Sequence, residues 1–307
     1  MKNEGLYYVT AAALAAAWIL TPAHTEARQN FSIDFPDGAD RCADVRVRSS
    51  GRIAQAAESF TLAKGGTSVL EVSGLDNANI RVRGWDRPDY SVEACKIAAA
   101  ADASTASQML KGISVTRSGG RFSASGPSAS GDQWLVVFIV HAPKGAALDL
   151  ETKSGPIEVR DVSGTLKARV ANGPVLIDNC SGTIEAHANN GPISFAGSGG
   201  DVRLNTDNGP ISLKLSGDNW NGPELEARTV NGPIGVALPG TFRSGVRIET
   251  AGHSPLSCGL DACRDAHTDA TGNHRVLQLN GSSATVRLST TNGPVSVGGA
   301  NKSRRVI

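Results

Sequence analysis

Asn172-Gly173-Pro174-Val175-Leu176-Ile177-Asp178-Asn179-Cys180 is followed by Ser181-Gly182-Thr183-Ile184-Glu185-Ala186-His187-Ala188-Asn189, and Asn190-Gly191-Pro192-Ile193 then starts the pair again. From Ser154 to Leu215 the chain repeats every nine residues in this way, and every second unit opens with Gly-Pro. Self-similarity at a short fixed period marks a repeat architecture, in which each unit buries its apolar face on its neighbours. Within a unit the third and fifth positions are apolar, as in Ile157 and Val159, Val175 and Ile177, Ile184 and Ala186, and Ile193 and Phe195. A period of two means a strand with one buried face.

Proline decides how these strands connect. In a two-residue hairpin with Asn-Gly at its centre, the next residue donates its N–H to close the turn. Here that residue is Pro174, Pro192 or Pro210, which has no N–H to give. A corner that passes the chain to another sheet makes no such demand. The predicted fold is therefore all-β, a β-solenoid (β-helix-like) with 18-residue coils of two short strands, stacked like to like at about 4.8 Å. Stacking aligns Asn172, Asn190 and Asn208 in a ladder whose amides can bond along the column. Small Ala168 and Ala186 alternate in the chain with larger Ile177 and Phe195, as a thin two-sided core requires.

Outward positions carry further information. Lys167, Glu185 and Arg203 form a column of alternating sign, and Arg160 lies above Asp178. Such neighbours stabilise adjacent strands, and their alternation cancels a net field. The other Gly-Pro column runs Glu158, Leu176, Ser194, Ser212, with Ala196 beside it: small, flat and weakly charged. It reads either as a surface that receives another surface or as plain exterior.

After Leu215 the period slips. Gly217-Asp218-Asn219-Trp220-Asn221 is inserted before Gly222-Pro223, and Asn231-Gly232-Pro233-Ile234 resumes the pattern. Trp220, with Asn219 and Asn221, is a candidate binding group, since an indole among asparagines can stack on a sugar; the structural alternative is an aromatic that plugs a local gap. Residues 251–275 form a second excursion, an inserted loop, and Asn292-Gly293-Pro294-Val295 closes the series. Before the repeats, 69–72, 79–85, 90–98, 113–117 and 134–141 read as strands and 104–110 as a short helix, giving an N-terminal β-rich cap that covers the open end of the coil.

Thirty basic residues stand against twenty-nine acidic ones, so charge offers no reason to expect nucleic acid or an anionic membrane as partner. Glycine at 35 and aromatics at 5% suit short strands and many turns. Lys2, the apolar run Val9 to Leu20 and the small residues Pro22 to Ala27 read as a signal peptide over residues 1–27. The apolar run falls short of the roughly 20 residues that a spanning helix needs, so no membrane span is expected after cleavage. The remaining organisation is an N-terminal segment at 28–64, the solenoid domain at 65–300 and a tail at 301–307. An exported chain, periplasmic or at the cell surface, keeps disulfides. Cys258 and Cys263, five apart in one loop, are the first candidate pair, and Cys42 and Cys95 the second. Cys180 sits among buried positions as a small apolar thiol, with a catalytic thiol as the sharper alternative.

No chemistry-bearing constellation emerges, and neither a cofactor nor a metal is expected. The six histidines show no metal-pair spacing. His253, in Gly252-His253-Ser254-Pro255, is retained as a candidate binding residue, because a nucleophile arrangement with Ser254 or Ser257 would still need an orienting third group.

Arg83-Gly84-Trp85-Asp86-Arg87-Pro88, the strand-like Ala147-Leu148-Asp149-Leu150 leading into Ser154-Gly155-Pro156-Ile157, and serial Asn-Gly-Pro-Ile resemble the bacterial "putative adhesin" family over roughly residues 65 to 298. The resemblance implies a β-solenoid in an extracytoplasmic setting and transfers no catalytic residues. The expected function is a non-enzymatic, adhesin-like interaction module of the cell envelope or surface, with a glycan or protein partner. A polysaccharide lyase or hydrolase on a β-helix scaffold, needing converging carboxylates, and a purely structural spacer are the alternatives.

Overall fold

The computed structural model describes residues 31–299 apart from 37, 75–76, 129–132, 252–253, 265, 272–273 and 282. The expected signal peptide and the C-terminal tail lie outside the described residues. The chain is all-β, with one α-helix among the described residues. Its first part contains β1 (Phe31–Asp34), β2 (Arg46–Ser49), β3 (Arg52–Ala63), β4 (Leu70–Gly74), β5 (Ala78–Trp85), β6 (Asp89–Ala100), α1 (Ala103–Gly112), β7 (Ser114–Ser118), β8 (Arg121–Ser125) and β9 (Gln133–Pro143). The repeats supply β10 (Ala147–Ser154), β11 (Ile157–Arg160), β12 (Thr165–Asn172), β13 (Val175–Asp178), β14 (Thr183–Asn190), β15 (Ile193–Gly197), β16 (Gly199–Asn208), β17 (Ile211–Leu215), β18 (Asn221–Asn231) and β19 (Ile234–Leu238). Beyond them lie β20 (Gly245–Ala251), β21 (Leu256–Cys258), β22 (His267–Thr271), β23 (His274–Leu279), β24 (Ala284–Asn292) and β25 (Val295–Gly299).

Two large, mostly parallel sheets carry these strands. Sheet I has twelve, in the order β22-β23-β20-β24-β18-β16-β14-β12-β10-β4-β8-β7, and sheet II has eleven, β21-β25-β19-β17-β15-β13-β11-β5-β9-β6-β3. Through the repeats the chain alternates between the sheets, so that Thr165 pairs with Thr183 in sheet I and Val175 with Ile193 in sheet II. The apolar third and fifth positions face inward: Ile157, Val175, Ile193, Ile211, Ile234 and Val295 are fully buried along one row of sheet II.

The Asn-Gly-Pro corners bond from layer to layer and never across a hairpin. Gly173 N–H donates to the Asn190 carbonyl at 3.0 Å, and Val175 N–H to the Pro192 carbonyl at 2.9 Å. Proline falls between these two donors, at the position where its missing N–H leaves no bond unmade. Asn190 Nδ2 donates to Asn172 Oδ1 at 3.1 Å, Asn208 to Asn190 at 3.1 Å, Asn231 to Asn208 at 2.9 Å and Asn292 to Asn231 at 2.9 Å. Just inside the corner, the buried hydroxyls of Thr206, Thr229 and Thr290 donate to the carbonyls of Gly191, Gly209 and Gly232. The backbones approach so closely that a Cβ at Gly209 would stand 2.1 Å from the Gly191 carbonyl oxygen.

Chain order and layer order part company at both ends. β24 lies between β18 and β20, and β25 between β19 and β21, so the last Asn-Gly-Pro unit is inserted into the stack instead of ending it. Asn292 can extend the ladder on Asn231, whereas β20 runs into Ala251-Gly252-His253-Ser254-Pro255, with no Asn-Gly-Pro. In that outer layer Ser254 Oγ accepts from Gly293 N–H at 3.2 Å, substituting for an asparagine carbonyl, and Val295 N–H donates to Pro255. At the other end β4 and β5 sit inside β8 and β9, although they precede them in the chain.

The segment 251–275 is not simply a loop, which corrects the sequence reading. Leu256–Cys258 is a strand of sheet II, and β22 pairs antiparallel with β23, which pairs antiparallel with β20 and so extends sheet I. The segments read as strands before the repeats are β4, β5, β6, β7 and β9, and α1 occupies the predicted helix. Asp102 caps α1 by accepting from Thr105 N–H at 2.9 Å; α1 buries Ala106 and Met109, and Met109 joins the main core.

A Gly209→Ala substitution is expected to cost about 1–3 kcal/mol by overpacking the corner. Thermal melts followed by circular dichroism check this against Gly240→Ala, where nothing lies within 4 Å of the added methyl and no change is expected.

Candidate functional site

Trp220 is 5% exposed; its indole N–H donates to the Gly200 carbonyl at 3.1 Å, and its ring lies 6.1 Å from that of Phe195. The insertion therefore folds the indole into the core beside Phe195. Asn219 and Asn221 on either side are exposed. His253 lies outside the described residues. Cys42 is bonded to Cys95 with Cα atoms 5.4 Å apart, and Cys258 to Cys263 with Cα atoms 6.1 Å apart. Cys180 is free and buried, and burial pushes its thiol up to about 11, which opposes a nucleophilic role at neutral pH.

A charged cluster absent from the sequence reading forms on the outer side of sheet II. Ile80 and Val82 point inward, so strand alternation sends Arg81 and Arg83 outward from β5; β11 adds Glu158 and Arg160, and β9 adds His141. Phe35 and residues 38–45 lie over them, held by the Cys42–Cys95 bridge and by Cys42 N–H donating to Glu93 at 2.7 Å. Arg81 Nε meets Glu158 at 2.9 Å with both side chains mostly buried, and its guanidinium lies 4.2 Å from the Phe35 ring. Arg160 reaches the second Glu158 oxygen at 2.7 Å, and Arg83 meets Asp40 at 3.1 Å. His141 stacks on Trp85 at 5.1 Å, while Arg87 lies over the same indole at 4.4 Å.

Magnitude decides what this cluster does. Its cavity is about 50 Å³, lined by Asp40, Arg81, Arg83, His141, Glu158 and Arg160 among others. A small-molecule site needs roughly 300 Å³ or more. The cluster therefore latches the N-terminal segment onto sheet II. A larger, open groove of about 480 Å³ borders it at the ends of β5 and β11, lined by Asp86, Lys144, Asp161, Ser163 and Asn179. Its polar groups already bind one another: Lys144 meets Asp86 at 2.8 Å and Asn179 donates to Asp161 at 2.7 Å. The Asp86 carboxylate holds the Lys144 ammonium above its ordinary value.

The two outer faces of the repeats differ in kind. On sheet I, register aligns Asp149, Lys167, Glu185, Arg203, Glu226 and Arg287, and pairs such as Arg169–Asp149 at 2.5 Å, Arg203–Asp201 at 3.1 Å and Arg228–Glu226 at 2.9 Å cover the face. On sheet II, one row runs Leu176, Ser194, Ser212, Gly235, Ser296, and the next Asp178, Ala196, Lys214, Ala237, Gly298. Leu176 is 39% exposed.

No family model matches the chain, and no curated protein matches it. Solved structures that resemble it include a "putative cell adhesion protein" from Clostridium sporogenes, 11% identical over 80% of this chain and 99% of that one, with a TM-score of 0.31. A "putative adhesin" from Bacteroides fragilis is 9% identical over 80% and 96%, with a TM-score of 0.37. A "putative lipid binding protein" from Parabacteroides distasonis is 10% identical over 81% and 98%, with a TM-score of 0.33. Likeness at this distance carries no argument about function. Among the described residues, no helix is long and apolar enough to cross a membrane.

Replacing Trp220 by Ala is expected to destabilise the fold by about 3–5 kcal/mol, read as a lower denaturation midpoint. His141 should give stability a pH dependence. Burial, the largest cause, lowers its pKa below the ordinary 6.5. Its contribution is thus complete above about 6.5 and is lost as pH falls towards the lowered folded-state value. Thermal midpoints across that window should fall more steeply for the natural chain than for His141→Gln.

Proposed function

We propose that the chain is an exported β-solenoid serving as a non-catalytic interaction module of the cell envelope or surface, contacting a glycan or protein through the outer face of sheet II. The observation that carries this reading is the asymmetry between the two outer faces. Long ion-paired side chains on sheet I hold a water layer and lose rotamer entropy when covered. The serine, alanine and glycine rows of sheet II lose little on being covered and admit close approach of a flat partner. Residues 65–300 make up the binding domain in this reading, and the two disulfides suit an oxidising compartment outside the cytoplasm.

The test is binding of the mature chain to a glycan array and to isolated envelope fractions. Ser194→Arg and Ser212→Arg, both at exposed sites, should weaken binding at least about tenfold without moving the thermal midpoint. Glu185→Arg on sheet I should not weaken it. No retained ligand would leave the chain a structural spacer, and release of new sugar ends from a polysaccharide would make it an enzyme.

A further inference from the structure

β3 is the outermost strand of sheet II, and among the described residues only β6 pairs with it. Its twelve residues run antiparallel to β6 without a bulge, from Arg52 opposite Ala100 to Ala63 opposite Asp89. Sheets ordinarily protect such an edge by making it short, by bulging it, or by placing proline or several charges along it. The other large-sheet edges follow that rule in length: β21 has three residues, and β7 and β22 have five each. β3 does not. It contains no proline, and its only charged residues are Arg52 and Glu58. Its first half is open, with Arg52, Ile53, Gln55, Ala56 and Ala57 all exposed and Ile53 at 39%.

We propose that this edge pairs antiparallel with β3 of a second copy of the chain, residues 52–58 of one against 58–52 of the other. The register follows from the side chains. With Gln55 on the two-fold axis facing its own copy, Arg52 falls opposite Glu58 at both ends, Ile53 opposite Ala57, and Ala54 opposite Ala56. Directly opposed residues share a face of the sheet, so the contact of the Arg52 guanidinium with the Glu58 carboxylate forms twice, and each exposed Ile53 is covered by a small partner. A shift of two residues in the sum of opposed positions moves Arg52 away from Glu58. An edge that is complementary to itself closes as a two-fold dimer and leaves no further edge to propagate from that strand. Glu58 stays available because its bond to Lys96, at 2.6 Å, leaves the side chain 37% exposed. The outcome is one continuous sheet formed from two eleven-stranded halves, held by the main-chain bonds that strand addition supplies.

Sedimentation of the full mature chain across a dilution series tests this. The expected result is a reversible monomer–dimer equilibrium. Gln55→Lys sets two like charges on the axis and should weaken it at least about tenfold, with an unchanged circular dichroism melt. A second variant reports the register: Gln55→Cys should give a covalent dimer on oxidation, and Ser59→Cys, whose partner position lies at residue 51, should not. A monomer at every concentration, or a dimer indifferent to Gln55→Lys and cross-linked equally by both cysteines, overturns the proposal. A chain that stays monomeric but binds an extended peptide along β3 also overturns it, and would assign the edge to a different protein.

Discussion

Everything in the repeat region depends on one contact, the approach of a corner glycine to the carbonyl of the glycine one layer away. At 2.1 Å from a would-be Cβ, the Gly209–Gly191 step excludes every side chain. Once the backbones meet there, register in both sheets is set together, because the N–H groups of glycine and of the residue after proline both reach into the next layer. The asparagine ladder, the threonine hydroxyls and the columns of charge follow from that alignment and reinforce it. Individually these bonds are modest, about 0.5–1.5 kcal/mol each. Their repetition at each layer makes slipping any one strand costly, since a one-residue shift would turn its buried row to water.

The same alignment produces the difference between the outer faces. A parallel stack brings each residue beside its counterpart, so a bias in one unit becomes a continuous stripe. On sheet I that bias is charge, resolved into pairs between Arg169 and Asp149 or Arg228 and Glu226. On sheet II it is small size, ending near the N-terminal latch where Arg81, Arg83 and Arg160 take over. The latch joins elements far apart in sequence through one disulfide and several ion pairs, and its small cavity makes it a fastening and not a pocket.

Much of the fold was legible because the rules that govern it are local. Period-two burial, proline after Asn-Gly and like-to-like columns are written within a few dozen residues, and the segments read as strands before the repeats are strands. What escaped depends on contacts between distant segments. No periodicity signals that Arg83 meets Asp40 across 43 positions. Trp220 was ambiguous because an indole between asparagines looks the same in sequence whether it faces solvent or fills the space beside Phe195. The position of the last unit was encoded, in the shared Asn-Gly-Pro of 231–233 and 292–294, but chain order obscured it. The excursion at 251–275 hid two short strands, β21 of three residues and β22 of five, which carry little alternation to read.

Insertion of β24 and β25 between layers that precede them gives the fold a direction in time. A chain emerging from its N-terminus can stack β10 to β19 as each unit appears, every layer settling on the one before. It cannot finish. In the finished fold the places beside β18 and β19 are taken by β24 and β25, which follow β20 and β21 in the chain. Completion of the stack is thus reserved for a chain whose C-terminal portion is already free, so a truncated product would end in an open layer and not in a shorter copy of the same fold.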